Sequence, residues 1–291
     1  GVPLVATKGQ FAVSNDTSMD LSGLSSSQEE FRLLLHVKHC NTSCLLKTVD
    51  SDVIVIAVGV YNQLPQFPLW VEYGKGKSLQ RLPIHQIADH FGTVARGMPF
   101  FHCVTGCDNV SSFFGIGKKT AFQIAERFEW FNKLSELTVN NFDVSIVESY
   151  ICRLYDRKSE LCDIDKLRLQ MFKSGTTFDK LPATKASLQQ HANRAMLQAN
   201  VWQQALVQYP SELAPEEWGW HRVEGKLTPR WSLLPPVTEV SVHFIRCQCA
   251  KRCDKGPCKC RRNGKGIPCS SLCGCKHAHG SRHIPLYAHT C

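Results

Sequence analysis

Residues 1–27 are mostly polar and Ser-rich, with Leu4, Val5, Phe11 and Val13 as their few apolar points, a pattern open to a strand, a hairpin or a loose segment. The pattern then sharpens. Ser27 precedes Gln28-Glu29-Glu30, a hydroxyl cap followed by acids where a helix dipole favours them, and Phe31, Leu34, Leu35 and Lys38 continue at helical spacing. Leu45 to Val49 reads as a strand running into Asp50-Ser51-Asp52. Val53 to Val58 is continuously apolar and β-branched, which fits either a buried strand or a helix start at a parallel sheet. Leu69 to Tyr73 is another strand, closed by a turn at Gly74–Gly76, and Pro83 to Ala88 starts a short helix. Strands alternating with helices predict an α/β domain.

From Pro99 the pattern becomes helical. Phe100 to Cys107 predicts one apolar helix ending near Asp108, Phe113 to Gly117 a tight turn, and Lys118 to Phe128 a helix with Ala121, Ile124, Ala125 and Phe128 on one face. Residues 140–208 predict three or so further helices, clearest at Val144 to Tyr155 and Leu188 to Leu206. Residues 210–236 are rich in Pro and Trp and read as an irregular segment pinned by its aromatics. No internal repeat is evident.

The 291 residues suffice for one large or two modest domains. The longest apolar run, Val53 to Val60, falls far short of the roughly 20 residues that cross a bilayer, so no membrane segment is expected. The start shows no leader peptide and is Gly, not Met, as in a fragment or processed piece; an oxidising compartment is not indicated. Cys40, Cys44, Cys103, Cys107, Cys152 and Cys162 are scattered and read as free core thiols.

Charge changes this picture. The chain carries a net +9, and the segment from Arg246 onward, with ten Lys/Arg and one acid, holds all of that excess. The same segment concentrates Cys247, Cys249, Cys253, Cys258, Cys260, Cys269, Cys273 and Cys275, spaced C-x-C-x3-C-x4-C-x-C-x8-C-x3-C-x-C. Adjacent C-x-C pairs are awkward to cross-link to one another but suit a shared metal cluster, and the residues between them are too polar to bury a core. Structural zinc therefore supplies the folding energy, on the order of 10 kcal/mol per site. Eight terminal thiolates hold two zinc ions, and a three-zinc cluster needs a ninth ligand, for which His277, His279 and Cys291 are the candidates. The surrounding cations partly neutralise the thiolates. The surplus, with Arg252, Arg261 and Arg262 foremost, would attract phosphate in a salt-dependent way. The spacing resembles the tesmin-type CXC domain, a DNA-binding cysteine module, although Ala278 stands where that family places its ninth cysteine.

A second set of residues concerns acids. Glu29/Glu30, Asp50 with Asp52, and Asp108 lie at the ends of predicted elements. Carboxylates beyond the carboxyl end of a strand can bind magnesium and leave positions for phosphate oxygens. Thr105-Gly106-Cys107-Asp108, followed by Gly115-Ile116-Gly117-Lys118-Lys119-Thr120-Ala121, resembles the G-x-D…G-I-G-x-x-x-A segment of flap-endonuclease-like enzymes of the PIN class. A P-loop is excluded, because it would need Gly at Ser112 and Ser or Thr at Lys119.

That resemblance implies a PIN-like parallel sheet with a helix-turn-helix-type phosphate-binding segment and a helical extension. It implies Mg or Mn at Asp50, Asp52 and Asp108 with Glu30 as the helix contributor, and phosphate held at Gly115, Gly117, Lys118 and Lys119. The whole layout also resembles transposon-like proteins of invertebrates. Two departures bear on activity. No strand bearing an Asp is evident before residue 28. Glu29 and Glu30 are adjacent where the family carries acids two apart, and adjacent helical positions diverge by about 100°. The expected site holds three or four carboxylates, enough for one metal ion and short for two.

The expected organisation is a polar segment over 1–24, a nuclease-like domain with helical extension over 25–209, a linker over 210–243, a zinc module over 244–283 and a tail over 284–291. The expected function is nucleic-acid binding, DNA favoured, in the nucleus, with metal-dependent phosphodiester hydrolysis if the acidic site is active. A catalytically inactive descendant that binds DNA and a zinc module that docks a protein remain the alternatives.

Overall fold

A computed structural model describes residues 5–8, 11–18, 20–21, 24, 26, 29–40 and 42–232. The chain divides into two compact units, residues 1–233 and 234–291. The cysteine-rich module and its arginines fall in the second unit, outside the described residues.

The first unit is mixed α/β, with small sheets and a majority of helix. β1 (Val5–Lys8) and β2 (Phe11–Ser14) pair as an antiparallel hairpin. α1 (Glu29–Cys40) follows and buries Phe31, Leu34, Leu35 and Val37, the face that its apolar spacing predicts. β3 (Cys44–Thr48) then pairs in parallel with β4 (Leu69–Tyr73), and β4 pairs antiparallel with β5 (Gln80–Pro83). The order β3-β4-β5 leaves β3 with a neighbour on one side only among the described residues.

The apolar run after Asp50 is a helix, α2 (Ser51–Val60). It is apolar nearly all round because it is covered nearly all round, by α1, α3 (Ile84–Phe91) and α4 (Met98–Val104). α4 is shorter than its sequence suggests. Thr105 turns its hydroxyl back to the Phe101 carbonyl at 2.8 Å, and Gly106 adopts φ 114°, so the helix stops at Val104 and does not reach Asp108.

The helical extension consists of α5 (Lys118–Arg127), α6 (Trp130–Ser135), α7 (Val144–Tyr155), α8 (Ile164–Lys173) and α9 (Lys185–Gln203). α9 lies along α4, and its buried Leu188, Ala192, Ala195, Met196 and Ala199 close the core on that side. Tyr150 of α7 is fully buried, and its hydroxyl donates to the Ala121 carbonyl at 3.0 Å, which ties α7 to α5.

The Pro- and Trp-rich segment is more regular than expected. β6 (Trp220–Val223) and β7 (Lys226–Pro229) form a hairpin closed by Glu224 and Gly225, both at positive φ, as a two-residue primed turn requires. The hairpin is held to α9 by Arg194. That guanidinium donates to the carbonyls of Gly219 at 3.1 Å and Arg230 at 2.8 Å and lies under the Trp231 ring.

Candidate functional site

β3 delivers the chain to Asp50 and Asp52 at its carboxyl end. Asp50 is exposed and caps α2: its Oδ1 accepts from the Asp52 N–H at 2.8 Å. Asp52 sits in the first turn of α2, where the helix dipole favours a negative charge. Its Oδ1 is 3.0 Å from Nε2 of His102, a largely buried residue of α4. An acid predicted as a metal ligand and a histidine of an otherwise apolar helix are thus hydrogen-bonded partners.

The segment after α4 folds back beside this pair. Cys103 is fully buried, Cys107 half-buried and Asp108 exposed. Cys107 exchanges backbone hydrogen bonds with Val110 at 2.9 and 3.1 Å, which makes a tight turn with Asp108 and Asn109 at its tip. Cys103 and Cys107 act on each other's titration as hydrogen-bonding thiols, with the amides of Asn109 and Val110 as smaller influences on Cys107. The hydrogen bond from Cys103, aided by those two amides, pulls the Cys107 thiol down to about 7 despite opposition from burial and from the Asp52 carboxylate. Burial and the same hydrogen bond push Cys103 well above its ordinary value.

Lys118 opens α5, yet its ammonium turns inward. It donates to the carbonyls of His102, at 2.8 Å, and Gly106, and to the Thr105 hydroxyl at 3.3 Å, capping the spent end of α4. Although the residue as a whole is exposed, its ammonium is shielded enough that burial lowers its pKa, against the pull of Cys107, Cys103 and Asp52. Lys119 is exposed beside it.

Gly115 and Gly117 occupy open ground. A Cβ added at either would meet no atom of the chain within 4 Å. Gly115 needs glycine for its φ of 71°, but Gly117 has an ordinary φ of −82° and serves as the N-cap of α5 without any side-chain hydrogen bond. Phe114 stands exposed at the same corner. The first amides of α5 therefore have no side-chain acceptor at the N-cap.

The structure brings Asp50 and Asp52 together by sequence adjacency, and Asp52 close to Cys103, Cys107 and Lys118 by folding. Glu30 holds a half-buried place in the first turn of α1, which packs on α2 and β3. Among the described residues no three His, Cys, Asp or Glu side chains are grouped as a ready metal ligand set. The scattered cysteines are not uniformly core thiols: Cys103 and Cys152 are buried, whereas Cys40 and Cys162 are exposed. The three surrounding residues that sequence reasoning undervalued, His102, Cys103 and Cys107, do leave a signal. Cysteines four apart lie one turn apart on a helix, and a histidine inside an otherwise apolar helix needs a polar partner.

Compared with known protein families, curated proteins and solved structures, the chain has no match. Among the described residues no helix is long and apolar enough to cross a membrane.

Proposed function

We propose that this chain binds nucleic acid, DNA in preference to RNA, through a nuclease-like PIN-type domain joined to a basic zinc-cluster module. The observation that carries the reading is Gly117. Neither its backbone angle nor any neighbouring atom calls for glycine, so the missing side chain leaves room for something outside the chain. A phosphate suits that position: amides that no N-cap side chain occupies, the positive end of a ten-residue helix and the exposed Lys119 all favour an anion. Lys118 supports the corner from within by holding α4 to α5, and its ammonium is already engaged.

The acids at the end of β3 lie close to the segment that leads into this corner, as the contact of Asp52 with His102 attests. Asp50, Asp52 and Asp108, with Glu30, are the residues that would hold Mg or Mn. As placed, Asp50 and Asp52 each commit one oxygen to a protein partner, and among the described residues no third ligand joins them, so they do not fit a finished metal centre. This favours the binding descendant over the active nuclease. Zinc at the eight cysteines and phosphate contact by Arg252, Arg261 and Arg262 belong to the same proposal and rest on their spacing and charge.

A salt titration of fluorescent DNA binding by the full chain tests the reading. Replacing Arg252, Arg261 and Arg262 by Ala should lower the slope of log K against log salt by about 3, and Lys119→Glu should weaken binding at every salt concentration. Slopes unchanged in the triple variant would remove the DNA model. Cleavage with Mg or Mn that is lost in Asp108→Asn would restore the nuclease; equal residual cleavage in both would mark it as contamination.

A further inference from the structure

We propose that Arg127 and Arg153 form a phosphate-binding site at the far end of α5, where the backbone of a nucleic acid makes a second contact with this unit. The site rests on the nucleic-acid reading and deepens it, because it says where the backbone runs beyond the Gly117 corner.

Two helices build the site. Arg127 ends α5, and Arg153 lies in the last turn of α7. The Tyr150 hydroxyl, bonded to the Ala121 carbonyl, holds the two helices together. Both guanidiniums lie over one ring, that of half-buried Phe128, at 5.6 Å from its centroid for Arg127 and 4.8 Å for Arg153. Close by in the chain, the Lys133 ammonium lies over the Trp130 ring at 4.7 Å. Arg153 is fixed further by donating to the Arg157 carbonyl at 2.9 Å, and Arg157 and Lys158 follow as exposed cations.

These cations lack an anion. Among the described residues neither Arg127 nor Arg153 forms an ion pair, although Glu126 and Glu129 are exposed beside Arg127 and Phe128 in the chain. Elsewhere in the unit arginines do find carboxylates: Arg81 bonds Glu72 and Arg222 bonds Glu216. One covering cation serves an aromatic ring, and a second brings like-charge repulsion to the same place. Packing alone therefore calls for one guanidinium, not two. An anion bound by both offsets that repulsion, and the planar fork of a guanidinium matches phosphate oxygens.

The position on α5 indicates the kind of phosphate. Lys119 and Arg127 are both exposed and stand eight positions apart, on one face of the helix. The rise between them is about 12 Å, or roughly three to four nucleotides along one strand. A strand with one phosphate at Gly117 reaches the guanidiniums by continuing along α5. A single phosphorylated side chain has no use for two sites so far apart.

The test follows fluorescent DNA binding by the full chain across salt concentrations and maps arginine modification by hydroxyphenylglyoxal. Arg127→Gln combined with Arg153→Gln should lower the slope of log K against log salt by about 2. Arg127→Lys combined with Arg153→Lys keeps both charges and should hold the parent slope. Arg222→Gln removes a charge already paired with Glu216 and should hold it too. In the parent, where no variant has to fold, bound DNA should slow modification of Arg127 and Arg153 several-fold and leave Arg222 unprotected. DNA that binds without protecting either arginine, an unchanged slope in the Gln pair, or an equal loss per charge in Arg222→Gln overturns this site and leaves the nucleic-acid reading standing. A phosphoserine peptide that protects both arginines where DNA does not would overturn it too, as a protein contact. A parent that binds no DNA at any salt concentration removes the reading and the site together.

Discussion

His102 Nε2 lies 3.0 Å from Asp52 Oδ1, with only 9% and 14% of the two side chains exposed. This contact joins the body of α4 to the first turn of α2. The imidazole also lies against Trp202 of α9, with ring centroids 5.9 Å apart, and the His102 carbonyl receives Lys118 from α5. One histidine thus binds four helices. His102→Ala should lose the carboxylate hydrogen bond and leave a cavity, at a cost of about 3 kcal/mol in urea unfolding. Asp52→Asn keeps an acceptor at the same place and should cost about 1 kcal/mol. Equal losses in the two variants would mean that the pair is not what holds the helices.

His191 gives a pH dependence of definite sign. It is 6% exposed, its Nε2 lies 2.9 Å from the Val104 carbonyl, and Ser111 Oγ lies 3.4 Å from Nδ1. The Val104 acceptor fixes the proton on Nε2. Burial, though opposed by that carbonyl, lowers the pKa from 6.5 to about 4. Between these values the unfolded chain binds a proton that the folded chain refuses, so stability present above pH 6.5 drains away as the pH falls toward 4, by about 1 kcal/mol per unit. His191→Gln can still donate to Val104 and should flatten that part of the profile. The quantity to measure is the difference between parent and variant, since burial lowers His36 as well. A difference that stays constant from pH 7 to 5 would show that His191 is not the group responsible.

Periodicity exposed the buried faces well. Phe31, Leu34 and Leu35 of α1 and Ala121, Ile124 and Ala125 of α5 are all buried as their spacing demands. It was silent where periodicity has no meaning. Val53 to Val58 has no polar face to set a period, because its helix is enclosed, and strand and helix stayed equally open. The β6–β7 hairpin was missed because Glu224-Gly225 is a weaker turn signal than Asn-Gly, and Pro and Trp dominate the window. At the candidate site the acids were legible as residue types at element ends. Their partners were not. Asp52 and His102 are fifty positions apart, and only packing of α2 against α4 brings them together. The inward turn of Lys118 was hidden for the same reason: its acceptors are carbonyls, which no side-chain pattern reveals.

Gly219 and Arg194 make the hairpin's attachment testable. Gly219 has φ 85°, and a Cβ there would lie 2.6 Å from the Gln190 carbonyl oxygen on α9. Gly225 has φ 80° but open space around it. Gly225→Ala should therefore cost only the backbone term, about 1 kcal/mol, and Gly219→Ala at least about twice that. Arg194→Met leaves the carbonyls of Gly219 and Arg230 without this donor and removes the cation from the Trp231 ring, at about 2 to 4 kcal/mol in urea unfolding. Equal loss in the two glycine variants would show that the hairpin does not depend on close contact with α9.

Cys107 should be the most reactive thiol of its segment at neutral pH. The hydrogen bond from Cys103 is the largest influence that brings it to about 7 from 9.0. Its folded form therefore gains stability through ionisation that is complete above pH 9 and lost as the pH falls through 7. Iodoacetamide labelling of the peptide 97–118 from native protein should rise with pH to half its maximum rate near pH 7 at Cys107, while Cys103, buried and protonated, stays unlabelled. Cys103→Ala takes away the donor and should move the midpoint upward, toward the ordinary thiol range, while the amides of Asn109 and Val110 retain part of the effect. If the midpoint is unmoved in Cys103→Ala, the amides alone activate the sulfur and the paired thiol plays no part in it.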